Sequence, residues 1–319
     1  MFLAIYQNDL YFYIMQNKIV NKNFLLYVLL ISLFSTTNCV NSQSLKGLYV
    51  DDFYNIIGNQ QNEDKLLTYA QSKGFNYLIL YNTTSIHRNK YPLDSSQGSE
   101  VWRKFILKAK SKYGLQKIGV VGEKAASFFP VKKYNQIVEY NELERIDVYN
   151  LEFEFWNKRL FEDSGYYCNT YLHKFGYECN NEGAFKFYLL QLKEMQKLKG
   201  KTSVEIETYI GNPSDEQLAQ IAKVTDRVLI HYYRENTDNM ASYKLNRLKV
   251  LQGKYPNLKI APIFSSRENH LGPWLKTHQI DEVHKVFFHQ LKLIKEINLK
   301  SLNFDGHIWY RYSNMPKNK

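Results

Sequence analysis

Eight short runs rich in β-branched and aromatic residues, separated by longer stretches of helical period, constrain this chain more than any other feature. The runs are Gly47–Phe53, Asn76–Asn82, Lys117–Gly122, Asp147–Trp156, Ser203–Ile210, Arg227–Arg234, Lys259–Ser265 and Leu302–Tyr310. Between them, apolar residues recur at helical spacing over Glu63–Lys73, Ser99–Tyr113, Lys133–Glu144, Glu182–Lys199, Ser214–Lys223, Asn239–Lys254 and Thr277–Ile297. Strict alternation of this kind predicts repeated β-α units and a parallel sheet. Eight strands point further, to a closed (β/α)8 TIM-type barrel rather than an open sheet. Only nine residues follow Tyr310, so the usual final helix is missing. The last strand must then close on the first without that cover, or the strand count is off by one. No internal repeat or Pro/Gly/Ser linker interrupts residues 43–319, which therefore read as one barrel domain.

Residues 1–42 read differently. Lys22 precedes the apolar run Phe24–Phe34, and small polar residues follow it, the pattern of an export signal cut before Gln43. The run has eleven residues, against the roughly 20 a spanning helix needs, so a permanent membrane span is not expected. Met15 is an alternative start, and Cys39 offers a lipid anchor as the alternative to simple release into a secreted or periplasmic space. In such a compartment Cys168 and Cys179 are expected to pair as a disulfide, with two free thiols as the alternative. The formal charge of +11 admits acidic glycans or envelope surfaces as partners, although solvated lysine-rich helix faces account for it as well. No dense basic run interleaved with stacking aromatics argues for nucleic acid.

The fourth run carries the chemistry. Side chains alternate across a strand, so in DVYNLEFEFW the residues Asn150, Glu152, Glu154 and Trp156 share one face, and Tyr149, Leu151, Phe153 and Phe155 the other. In a barrel the apolar face meets the helices. The polar face then points inward, with Glu154 and Trp156 near the C-terminal mouth where barrel enzymes place their active sites. Two carboxylates within about 7 Å on one face raise one another's pKa, which suits a general acid. Polar filling of the barrel, with both acids paired to lysines or tyrosines, explains the same residues equally well.

The spacing Asp147-x-x-Asn150-x-Glu152-x-Glu154 resembles the fourth-strand Asp-x-x-Asp-x-Asp-x-Glu signature of chitinase-like family 18 glycoside hydrolases. Asn150 and Glu152 stand where that family has aspartates. The resemblance implies that Glu154 is the acid/base, that Glu152 orients the acetamide of an N-acetylhexosamine for attack on its own anomeric carbon, and that Asn150 supports it. It also implies an acetamide-contacting role for Tyr233, in Ile-His-Tyr-Tyr233, and a sugar-stacking floor at Trp309, in Gly306-His-Ile-Trp309.

Other residues leave alternatives open. On the fifth strand Glu205, Glu207 and Tyr209 share a face, so Glu207 is a candidate second carboxylate for a conventional retaining glycosidase, whose two acids lie about 5 to 5.5 Å apart. Glu268 is another such candidate, more simply read as a solvated loop residue. Asp51, at the end of the first strand, faces the mouth to bind a hydroxyl or merely forms a turn with Asp52. The loop 157–181 carries Tyr166, Tyr167, Tyr171, Phe175, Tyr177 and both cysteines, a stapled wall for a glycan cleft or a simple cover. Histidines are scattered, and His284 and His289 stand five apart rather than four, so neither a metal nor any other cofactor is expected. The expectation is thus an exported, monomeric hydrolase acting on an oligosaccharide or polysaccharide. A non-catalytic glycan-binding barrel and a ligand-free envelope scaffold are the alternatives.

Overall fold

The computed structural model describes residues 44–162 and 164–317. The expected leader and Cys39 lie outside them. Strands β1 (Lys46–Val50), β2 (Tyr77–Leu80), β3 (Lys117–Gly122), β4 (Val148–Leu151), β5 (Glu205–Ile210), β6 (Arg227–His231) and β7 (Lys259–Ser265) each pair in parallel with the next. The eighth run is broken into β8 (Asn303–Phe304) and β9 (His307–Tyr310). Because β9 pairs with both β7 and β1, the sheet closes into an eight-stranded parallel barrel.

One principal helix fills each of the seven intervals: α1 (Gln60–Ser72), α2 (Ser96–Ser111), α3 (Phe129–Ile137), α4 (Asn181–Lys199), α5 (Asp215–Ala222), α6 (Leu245–Leu251) and α7 (Ile280–Leu293). Their starts are set by local chemistry. Asn59, Ser95 and Asn180 each accept a backbone N–H of the first turn, and Ser214 with Gln217 forms a reciprocal capping box. Among the described residues the short turn Tyr312–Asn314 follows β9, and Asp51 holds it by accepting from Ser313 N at 3.0 Å and from its hydroxyl, with Arg311 3.3 Å away. Asp51 is therefore tied to the chain's last segment. No helix among the described residues is long and apolar enough to cross a membrane.

The apolar face of each strand packs on the helices, and on β4 this places Tyr149, Leu151, Phe153 and Phe155 in the main core. A smaller cluster, with Tyr49, Tyr77, Ile79, Leu229 and Ile308, fills the barrel interior. Tyr77 crosses that interior because Gly119 leaves room: a Cβ there would sit 2.6 Å from its hydroxyl. The hydroxyl donates to Glu207 Oε1 at 2.9 Å. Around it the N-terminal end of the barrel is filled by charge. Arg227 is fully buried and pairs with Glu207 at 3.0 Å, Glu205 at 2.9 Å and Asp305 at 2.6 Å, while Lys117 and Lys259 flank Glu205. Burial pushes the Glu205 carboxyl up, but Arg227 and Lys117 outweigh it and hold the group well below the usual carboxylate range.

The loop between β4 and α4 is a folded lid, with a helix over Lys158–Phe161 and single turns over Cys168–Leu172 and His173–Phe175. Cys168 and Cys179 form a disulfide across it. Aromatic faces fasten it to the barrel, Tyr167 stacking on Phe153 at 3.9 Å and Tyr171 on Phe187 at 5.5 Å. Removing the staple in a Cys168→Ala/Cys179→Ala protein is expected to cost about 2–3 kcal/mol through the entropy of a loop of this size. Limited proteolysis should then cut residues 162–176 before any strand.

Candidate active site

Beyond Leu151 the fourth strand leaves the regular ladder but stays extended, Glu152 N still donating to Gly122 O at 2.9 Å. Alternation continues through this stretch and brings Glu152 and Glu154 to the C-terminal mouth. There they line a cleft of about 1090 Å³. Its floor also includes Glu123, Tyr81 and Tyr209, and its walls come from the segment 82–89 after β2, residues 122–130 after β3, and the lid.

Tyr209, rising from β5, links the two glutamates. Its hydroxyl lies 3.3 Å from Glu152 Oε1 and 3.1 Å from Glu154 Oε1. Burial, with Glu152 and Glu154 beside it, pushes the Tyr209 pKa well above its ordinary value, so the phenol keeps its hydrogen. One hydroxyl has one hydrogen to give, and two oxygens stand ready to accept it. The arrangement is satisfied when one carboxyl brings its own proton, and Glu152 is the one placed to do so. Burial, followed by the charges of Glu154 and Glu123, pushes Glu152 up to about 7, against the opposing hydroxyls of Tyr81 and Tyr209. The chain Glu152–H to Tyr209 O–H to Glu154 is then complete. On its far side Glu154 Oε2 accepts from Asn157 Nδ2 at 2.8 Å.

A raised carboxyl pKa has a sign for stability. Between about pH 4.5, its unfolded value, and pH 7 the folded state binds more protons than the unfolded one, so this group's contribution falls as pH rises. Glu152→Gln is therefore expected to match the native chain near pH 4 and exceed it by about 1–3 kcal/mol at pH 8. Denaturant midpoints at the two pH values read the difference; equal gains at both would contradict the shift.

The remaining half of the mouth is filled. Tyr209, His231 and Tyr233 stack face to face at 4.7 and 4.3 Å, Tyr310 follows at 6.0 Å, and Trp156 stands edge-on to Tyr209 and His231. His231 is pushed down to about 3 by burial, with Lys244 and His270 adding to it, so it is a neutral member of the column. The open cleft consequently lies over β2 to β5 rather than on the barrel axis.

The sequence-derived candidates divide accordingly. Glu152 and Glu154 meet in the cleft. Asn150 sits one layer deeper, fully buried, donating to Glu207 Oε1 at 2.6 Å and Tyr49 Oη at 3.0 Å. Glu207 belongs to the Arg227 network and has no opening to the mouth. Tyr233 and Trp156 are parts of the aromatic column, and Glu268 pairs with Lys276 on the surface. Trp309 is corrected: it faces the helices, buried beside Phe264 at 5.6 Å, and Tyr310 is the inward residue. The cause is Gly306, at φ +95°, where a Cβ would strike Leu45 O at 1.8 Å. The break it imposes restarts the alternation of β9, so Ile308 and Tyr310 point in.

Glu123 was missed, although its signal was available. It follows Gly119 and Val121 in steps of two at the end of β3, the same rule that found Glu152 and Glu154. It accepts from Tyr166 Oη at 2.8 Å and from Tyr171, and so pins the lid to the cleft wall. Among the described residues one group has metal-like spacing, Cys168, His173 and Cys179, and its two sulfurs are joined in the disulfide.

No family model matches the sequence, and no curated protein matches it. Solved structures do align. A GH18 chitinase from Pseudoalteromonas aurantia shares 12% identity over 86% of this chain and 97% of its own, with a TM-score of 0.44. A β-glucosidase from Exiguobacterium marinum gives 11%, 84%, 89% and 0.49, and one from Thermotoga maritima 10%, 82%, 77% and 0.45. All are likenesses of overall fold.

Proposed function

We propose that the protein is a glycoside hydrolase that cleaves glycans containing N-acetylhexosamine, with Glu154 as acid/base and Glu152 as the residue that orients the substrate acetamide. The observation that carries this reading is the hydrogen-bonded chain Glu152–Tyr209–Glu154 at the floor of an open cleft. Exposed rings fit a sugar ligand as well: Tyr166 and Phe175, 48% and 53% exposed, line the same cleft and offer flat faces for pyranose stacking.

The chemistry follows from the proton inventory. The proton held by Glu152 passes through Tyr209 to Glu154, which delivers it to the glycosidic oxygen as the bond to the anomeric carbon breaks. The acetamide oxygen attacks that carbon, and the Glu152 carboxylate left behind stabilises the charge that develops on the acetamide nitrogen. Glu154 then removes a proton from the water that opens the cyclic intermediate.

A second reading has one observation in its favour: Tyr233 stacks in the aromatic column and is not among the residues that line the cleft. In that reading two carboxylates of the floor act as acid and nucleophile, and no acetamide is needed. The test incubates the protein with N-acetylglucosamine oligomers and with matched glucose oligomers, reading new reducing ends. Release from the acetamido series alone, lost in Glu154→Gln, supports the first reading. Equal release from both supports the second, and release from neither, with retained binding, makes the barrel a glycan-binding protein.

A further inference from the structure

The cleft carries cations that the reaction does not use. Arg88 reaches it from the helix Thr83–Asn89, Lys124 from the turn after β3 and Lys174 from the lid. Three separate segments thus each bring one positive side chain to one opening. Among the described residues none of the three has an ion-pair partner, and Lys124 rests over the Tyr171 ring at 5.7 Å. The cations around the barrel's other end are treated differently: Lys110, Lys117, Arg145, Arg227 and Lys259 all have carboxylate partners. Glu123, an acid of the same cleft, is occupied by the hydroxyls of Tyr166 and Tyr171.

We infer that the cleft selects an acidic oligosaccharide, one whose sugars alternate between an acetamido sugar at the glutamate pair and a sugar bearing a carboxylate or sulfate at Arg88, Lys124 and Lys174. The inference rests on the glycosidase reading above and names its substrate class. An arginine offers a planar fork to a carboxylate or sulfate, and the two lysines offer point charges that tolerate variation along the chain. Unpaired cations at a concave rim also raise the local concentration of an anionic chain and speed its capture. A neutral oligomer would gain nothing from them.

The test uses the full chain carrying Glu154→Gln, so that ligands persist. Dissociation constants are measured for three hexasaccharides: one built of N-acetylglucosamine alone, one alternating N-acetylglucosamine with glucuronate, and a sulfated counterpart. The carboxylate or sulfated ligand, or both, is expected to bind at least tenfold more tightly than the neutral one. Raising ionic strength from 0.05 to 0.5 M should erase most of that ratio. Substituting Arg88→Gln, Lys124→Gln and Lys174→Gln together should bring the ratio close to one. The ratio is taken within a single protein preparation, so partial unfolding cannot imitate its loss. The two acidic ligands distinguish a carboxylate from a sulfate preference. A ratio near one in the starting protein, or one that survives the triple substitution, overturns the inference and leaves the glycosidase reading standing. Failure of all three sugars to bind overturns both.

Discussion

Glu154→Gln is expected to lower turnover of N-acetylglucosamine oligomers by about 10²–10⁴-fold, the range a positioned general acid supplies. The amide keeps the volume and can still hydrogen-bond Tyr209 and Asn157, so the cleft should hold its shape and KM should change little. That split between kcat and KM separates a lost proton donor from a lost binding contact. The native pH profile adds a second mark. With the pair's proton stored on Glu152, which is pushed up to about 7, activity should decline above neutrality as that store empties. A native profile flat from pH 6 to 9 would contradict the relay, and a Glu154→Gln protein with undiminished turnover would remove Glu154 from the chemistry altogether.

The second large effect concerns stability. Arg227→Met is expected to destabilise the fold by about 3–5 kcal/mol, because it strips the partner from Glu207, a carboxylate with no exposure at all. For a domain whose whole stability is of the order of 5–15 kcal/mol this is severe. Tyr77 and Asn150 still donate to Glu207, but neither supplies charge. Adding Glu207→Gln to Arg227→Met should recover a good part of the loss, since the amide removes the stranded charge yet still accepts from Tyr77 and Asn150. Lys117 and Lys259 remain to serve Glu205 and Asp305. Denaturant midpoints of the single and double variants decide the matter; a double variant no better than the single would mean that Arg227 acts chiefly through its other partners.

The barrel was legible because its evidence is local. Period-two runs and helical stretches alternate within a few residues of one another, and β3 and β7 coincide with their expected limits. The inward face of β4 followed from the same parity. Where the structure departed, the cause was tertiary. Run six was expected to reach Arg234, yet β6 stops at His231 as the chain leaves the ladder to build the aromatic column. Glu207 sits on the expected face but at the wrong depth, a matter of strand stagger that a single strand does not reveal. Trp309 was assigned without the break at Gly306. Tyr209 was seen to share a face with two acids of its own strand, whereas its actual partners stand 55 and 57 positions earlier. Such pairings exist only once the barrel has closed.

Closure itself has a kinetic consequence. The seam joins β9 to β1 and β7, so two of the eight pairings that close the barrel wait for residues beyond 306. The turn behind β9, held by Asp51 and by Tyr312 against Tyr69 at 5.5 Å, is the clasp that follows. Until that clasp engages, β1 and the part of β7 beyond its short pairing with β8 remain edges of an open, curved sheet. Late protection of the amides of β1 and β9 in pulsed hydrogen exchange would be the signature of a cylinder whose last act of folding is to meet its own beginning.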